Sequence, residues 1–133
     1  MIKQIKFKVT KTRHLVCLAR VNGVKAVLLI DTGASNSCIA LSEKENFNIR
    51  EKGATFEASG TGKDKLKAVL GNQCDLILGR YNFGKHAFVL LDMQHINATL
   101  IKETTKPIDG ILGSDFLKNN RAIIDYRNKT LSL

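Results

Sequence analysis

Val27-Leu28-Leu29-Ile30-Asp31-Thr32-Gly33-Ala34-Ser35 is the stretch on which the reading of this chain turns. Val27 to Ile30 follow Ala26 with no polar residue among them, the pattern of a strand covered on both faces. Asp31 ends that run. At the end of a core strand a carboxylate is disfavoured in its ionised form unless hydrogen bonds or a proton compensate. Thr32 and Ser35 add hydroxyls, and Gly33 lets backbone N–H groups approach without a Cβ in the way. By residue chemistry alone the segment is most simply a strand-to-turn Asp, a common way of closing a loop, and short patterns recur by chance.

Further along, Gly110-Ile111-Leu112-Gly113-Ser114-Asp115-Phe116-Leu117 brings a second apolar run to a glycine, here with no Asp-Thr before it. Together with Leu29–Ser35 and the tail from Ile123-Ile124-Asp125-Tyr126 to Leu131-Ser132-Leu133, it resembles the retropepsin-like aspartic proteases, the single-domain, retroviral-type family. Two separated motifs in the right order, in a chain of suitable length, carry the resemblance. It runs from the first strand to the last residue and is poorest between residues 41 and 105.

The resemblance implies a mainly β, closed-barrel retropepsin-like fold with one or two short helices, one domain over residues 1–133, and aspartic endopeptidase activity. It makes Asp31 the catalytic residue, Thr32, Gly33, Ala34 and Ser35 its support, and Ile111, Leu112 and Gly113 a second supporting loop. Such chemistry needs two carboxylates, one taking a proton from water and one donating to the substrate oxygen. With one Asp-Thr-Gly per chain, the implied unit is a homodimer acting on a peptide or protein substrate, without metal or other cofactor. Retroviral members pair through terminal strands, which makes Leu131–Leu133 a candidate for the contact. Asp109, Asp115 and Asp125 lack the Thr-Gly and read as turn, helix and strand-end residues.

A length of 133 residues allows one domain with a substantial core, half the size of a two-lobed enzyme. Hydrophobic residues at 44% against 25% charged are ordinary for a soluble globular chain. The net charge of +9 would attract nucleic acid or other anions, but the lysines are scattered. Lys6 and Lys8, like Lys63, Lys65 and Lys67, alternate as the outer face of a strand does. Aromatics at 6% with no Trp offer no stacking platform, so nucleic acid is the less favoured partner.

Three cysteines, Cys17, Cys38 and Cys74, cannot all pair within the chain, and reduced thiols in a cytoplasmic protein are the expectation. Cys38 follows Asp31 closely enough that its oxidation is expected to disturb the loop. His14, His86 and His95 lack ligand spacing. The first residues alternate apolar and basic instead of building a signal-type core, and no apolar run approaches the roughly 18 residues of a membrane span, so no membrane role is expected. The sequons at Asn97 and Asn128 carry little weight without a secretory signal.

Periodicity predicts a strand over Lys3–Val9 with Ile5, Phe7 and Val9 on one face, then a hairpin of His14–Val21 and Val24–Ile30 about Asn22-Gly23. A short strand, Ser37–Ala40, precedes a helical turn from Leu41 with Ser42 as its N-cap. Strands over 54–58 and 66–70 flank a polar, glycine-containing tip. That tip is either a long β-turn or, as the resemblance implies, a flap closing over substrate through Ser59, Gly60, Thr61 and Gly62. Strands over Gly71–Leu78 and His86–Asp92 follow, residues 93–106 fit loop or short helix, and Ser114 is expected to cap a helix through Asn119. Arg121–Tyr126 and Thr130–Leu133 close the chain. A competing reading is a catalytically silent, protease-like domain that binds peptide or nucleic acid. The intact Asp31-Thr32-Gly33-Ala34 favours the enzyme, because a pure binder has no need of a carboxylate there.

Overall fold

Asn22 and Gly23 both take positive φ, 50° and 81°, the backbone of a tight hairpin turn. A computed structural model describes residues 2–59, 65–103 and 107–133. The chain begins with β1 (Gln4–Lys6) and β2 (Lys8–Val9). The hairpin then joins β3 (Leu15–Val21) to β4 (Val24–Ile30), in register from Leu15 opposite Ile30 to Val21 opposite Val24. Along β3 the alternation is regular, with Leu15, Cys17, Ala19 and Val21 buried and Leu18 and Arg20 exposed. Along β4 it ends: Leu28, Leu29 and Ile30 are all buried, because both faces of the strand are covered.

Two later elements explain that cover. β5 (Cys38–Ala40) leaves the Asp31 loop, and a 3-10 turn, Leu41–Glu43, follows it. The chain continues through β6 (Phe56–Ser59), β7 (Lys65–Leu78), β8 (Tyr81–Leu91) and α1 (Gln94–Glu103) to β9 (Gly110–Leu112). β9 lies parallel to β4 and antiparallel to β5, so it separates the strand that enters the Asp31 loop from the strand that leaves it. From β5 the sheet continues through β8 to β7, and β7 returns to β3 by pairing Ala19 with Leu78 and Val21 with Leu76. The result is a closed six-stranded barrel, β3-β4-β9-β5-β8-β7.

α2 (Ser114–Asn119), β10 (Ile123–Asp125) and β11 (Thr130–Ser132) complete the chain, and a second sheet has the order β1-β11-β10. Phe47, Phe88, Leu28, Ile39, Leu112 and Leu131 are fully buried in the main core. Each such side chain contributes about 1.5–3 kcal/mol of burial. A smaller cluster, including Leu29, Cys38, Leu91, Met93 and Ile111, packs separately.

Several local expectations are corrected. Val9 is 40% exposed, because the chain changes sheets at Phe7, with β1 on β11 and β2 on β3, and the alternation is broken there. Residues 65–78 form one 14-residue strand instead of two, and its pairing with β8 shifts between Leu70 and Gln73 and between Asp75 and Ile77. β8 starts at Tyr81, so Gly84, at φ 74°, lies inside a strand and not in a turn. Ser42 sits within its turn and makes no side-chain cap, and Ser114 is the first helical residue behind an N-cap at Gly113. In the second sheet, β11 is paired within the chain on both sides, and β1 and β10 are the two edges, with Ile123 of β10 65% exposed.

Candidate active site

The Asp31 loop is held from two directions. Asp31 N–H donates to the Leu112 carbonyl at 3.0 Å, and Ser114 N–H donates to the Ala34 carbonyl at 2.7 Å, so the loop is tied to both ends of the Leu112–Ser114 crossing. Within the loop, Gly33 N–H donates to Asp31 Oδ1 at 2.9 Å and Ala34 N–H to the Asp31 carbonyl at 3.2 Å. The carboxylate therefore has one oxygen fixed by its own backbone while remaining half-exposed. Gly113 makes the crossing possible: a Cβ there would stand 2.7 Å from the Ala34 carbonyl oxygen and 3.0 Å from that of Asn36, both backbone atoms.

Ser37, wholly buried, locks the crossing from below. Its hydroxyl donates to Asp115 Oδ1 at 2.7 Å and accepts Gly113 N–H at 3.0 Å. Asp115 Oδ2 lies 3.3 Å from His86 Nε2, an electrostatic contact without an aligned hydrogen bond, and the imidazole is packed edge-on against Phe88 and Phe116. Burial acts to raise the Asp115 carboxyl. The Ser37 N–H and hydroxyl, the Phe116 N–H and His86 together outweigh it and hold the group below its ordinary value. Asp109 accepts Val27 N–H at 2.8 Å through Oδ2, while its backbone N–H and carbonyl bond to Val27 and Ala40. Burial pushes its carboxyl up. Asp125 accepts the Asn128 N–H and side-chain amide, a turn role.

Asp31 opens onto a cleft of about 460 Å³. Gly33, Ala34 and Ser35 line it on the Asp31 side, Ile111 and Cys38 lie between, and Phe56, Ala58 and Leu66 contribute from β6 and β7. Thr32 is exposed and does not line the cleft, while Leu112 is fully buried behind the loop. Ser59 ends β6, and Gly60, Thr61 and Gly62 lie outside the described residues. The Cys38 thiol is pushed up to about 12, first by burial and then by the nearby Asp115 and Asp31 charges. That disfavours the thiolate, the form that oxidises most readily. A larger cavity, about 690 Å³, includes Val16, Val27, Leu29 and Ile108 with Lys6 and Arg80, and no carboxylate lines it.

Ser37, His95 and Ile96 were not singled out as site residues by the sequence, yet Ser37 joins both loops and the other two line the cleft. The only signal for Ser37 was a polar residue at the start of an apolar strand. Barrel and crossed loops define the retropepsin-like fold. The sequence matches the aspartyl protease family over residues 18–116, a span containing both loops, and the chain belongs to that family.

Solved structures that share the fold include the following three. A retropepsin-like aspartic protease from Rickettsia conorii is 18% identical at a TM-score of 0.60, covering 100% of this chain and 91% of that one. The retroviral protease-like domain of Ddi1 from Leishmania major is 22% identical at 0.61, covering 93% and 88%. The EIAV protease, in complex with an inhibitor, is 16% identical at 0.52, covering 82% and 89%. No curated protein matches the sequence.

Proposed function

We propose that this chain is an aspartic endopeptidase, one domain over residues 1–133, active as a homodimer in which Asp31 of each copy flanks a single water. The observation that carries the reading is a single cleft-facing Asp31, held by hydrogen bonds from both crossed loops, in a chain of the aspartyl protease family. Two carboxylates brought this close cannot both ionise, so one is a base toward the water and the other an acid toward the peptide carbonyl oxygen. Thr32, exposed on the loop, braces the partner's loop. Gly33, Ala34 and Ser35 border the substrate, with Ile111, Leu112 and Gly113 behind them. β6, ending at Ser59, and β7 form the flap that shields the reaction from water. The substrate is a peptide or protein, and three thiols with no disulfide among them fit a cytoplasmic setting.

Cleavage of an unbiased peptide library by wild type and by Asp31→Asn, with pepstatin as a further arm, tests the reading. Cleavage by the wild type, lost in the variant and suppressed by the inhibitor, is expected. Equal cleavage by both chains, or none by the wild type, would overturn it.

A further inference from the structure

Between β8 and β9 the chain detours through α1, and the first turn of that helix is pinned to the edge of the Asp31 cleft. Asp92 Oδ1 accepts the Gln94 N–H at 3.1 Å, and the Asn97 N–H donates to the Met93 carbonyl at 2.9 Å. The Asn97 side chain then imitates a strand neighbour of Ile108: its Nδ2 donates to the Ile108 carbonyl at 3.2 Å, and its Oδ1 accepts the Ile108 N–H at 2.9 Å. Ile108 lies two residues before β9 and so close to the Ile111–Gly113 crossing. The start of α1 is thereby referenced to the same frame that holds Asp31.

Two side chains from this turn line the cleft. Ile96 packs on the satellite cluster that includes Leu91, Met93 and Ile111, and it faces the same space as Leu66 and Val89. His95, beside it, is exposed at the cleft. Among the described residues lining this cleft the titratable groups are Asp31, the Cys38 thiol and His95, so His95 is the one described side chain there that can carry positive charge.

We infer that the start of α1 is a specificity wall: Ile96 closes a subsite for one medium-sized apolar side chain of the peptide, and His95 favours a carboxylate on a neighbouring peptide residue. The inference rests on the peptidase reading and adds to it the class of sequence selected. Ile96 and His95 are specificity residues and Asn97 is a positioning residue.

Library profiling of wild type, Ile96→Ala, Ile96→Val, His95→Gln, His95→Lys and Asn97→Ala, each checked for folding by thermal melt, tests it. Ile96→Ala is expected to shift preference toward larger apolar residues at one subsite by about tenfold, with Ile96→Val giving a smaller change in the same direction. His95→Gln is expected to lower the enrichment of Asp and Glu by about fivefold, and His95→Lys to keep it. Asn97→Ala blurs both preferences at once. Profiles of the folded variants that superimpose on the wild type overturn the inference while leaving the peptidase reading standing. If the wild type cleaves nothing, the same library is captured on wild-type and variant chains. Shifted binding profiles then sustain the wall and sink the peptidase, and absence of binding sinks both.

Discussion

Ser37 is the residue on which the geometry around Asp31 most depends without touching the cleft. Replacing it by Ala leaves the Gly113 N–H and the Asp115 carboxylate without their shared partner, and a buried polar group stranded in this way costs about 1–3 kcal/mol. Ser37→Ala is therefore expected to lose that much stability in a urea titration. Asp115 has a pH signature as well. Its folded value lies below 3.8, so its contribution is present above that pH and is lost as pH falls through the folded value. A melting-temperature series on Asp115→Asn should show a shallower decline below about pH 4 than the wild type. The place of Asp31 at the end of a core strand was legible because strand and loop are contiguous, while its proposed role came from the family resemblance. Ser37 could not, because its partners lie 76 and 78 residues away and each position alone is an unexceptional polar residue.

At the scale of elements, the crossing of the two loops tolerates no side chain at Gly113. An added Cβ meets backbone, which cannot rotate aside, so Gly113→Ala is expected to destabilise the fold by about 1–3 kcal/mol and displace the Asp31 loop. Cleavage rates measured well below the variant's melting temperature should fall further than its stability accounts for; unchanged rates in a folded variant would contradict this. The β3–β4 hairpin was legible because its turn is local, written in Asn22-Gly23 and in the alternation of Leu15 to Val21. The continuity of β7 was not. Gly71 reads as a break between strands, whereas its role is close packing: a Cβ there would lie 2.8 Å from Ile49 Cγ2 and 3.0 Å from the Phe88 carbonyl oxygen. α1 was left open between loop and short helix for a related reason, since its anchor, the Asn97–Ile108 pair, is a tertiary contact and not a propensity.

For the whole molecule, the proposed homodimer requires two chains of net charge +9 to come together. Long-range repulsion is screened by salt, whereas burial of apolar surface and strand pairing are not weakened by it. Raising salt from about 0.05 M to about 0.5 M should therefore tighten self-association in sedimentation experiments, and weakening would point to an interface of opposite charges instead. The edges of the second sheet are β1 and β10, and Ile123 of β10 is exposed there. None of the described helices is long and apolar enough to cross a membrane.

The insertion of β9 between β4 and β5 also sets an order of events during synthesis. Residues 31–35 leave the ribosome early, but the strand that parts their flanks and the glycine that receives their loop arrive only with residues 110–113. Pairing over such a separation is slow to form, because the intervening chain must be gathered first. A nascent chain arrested before residue 113 thus displays the Asp31 segment without the frame that orients it. On the peptidase reading, competence waits for residues 110–113, so the Asp31 segment alone is no working half-site.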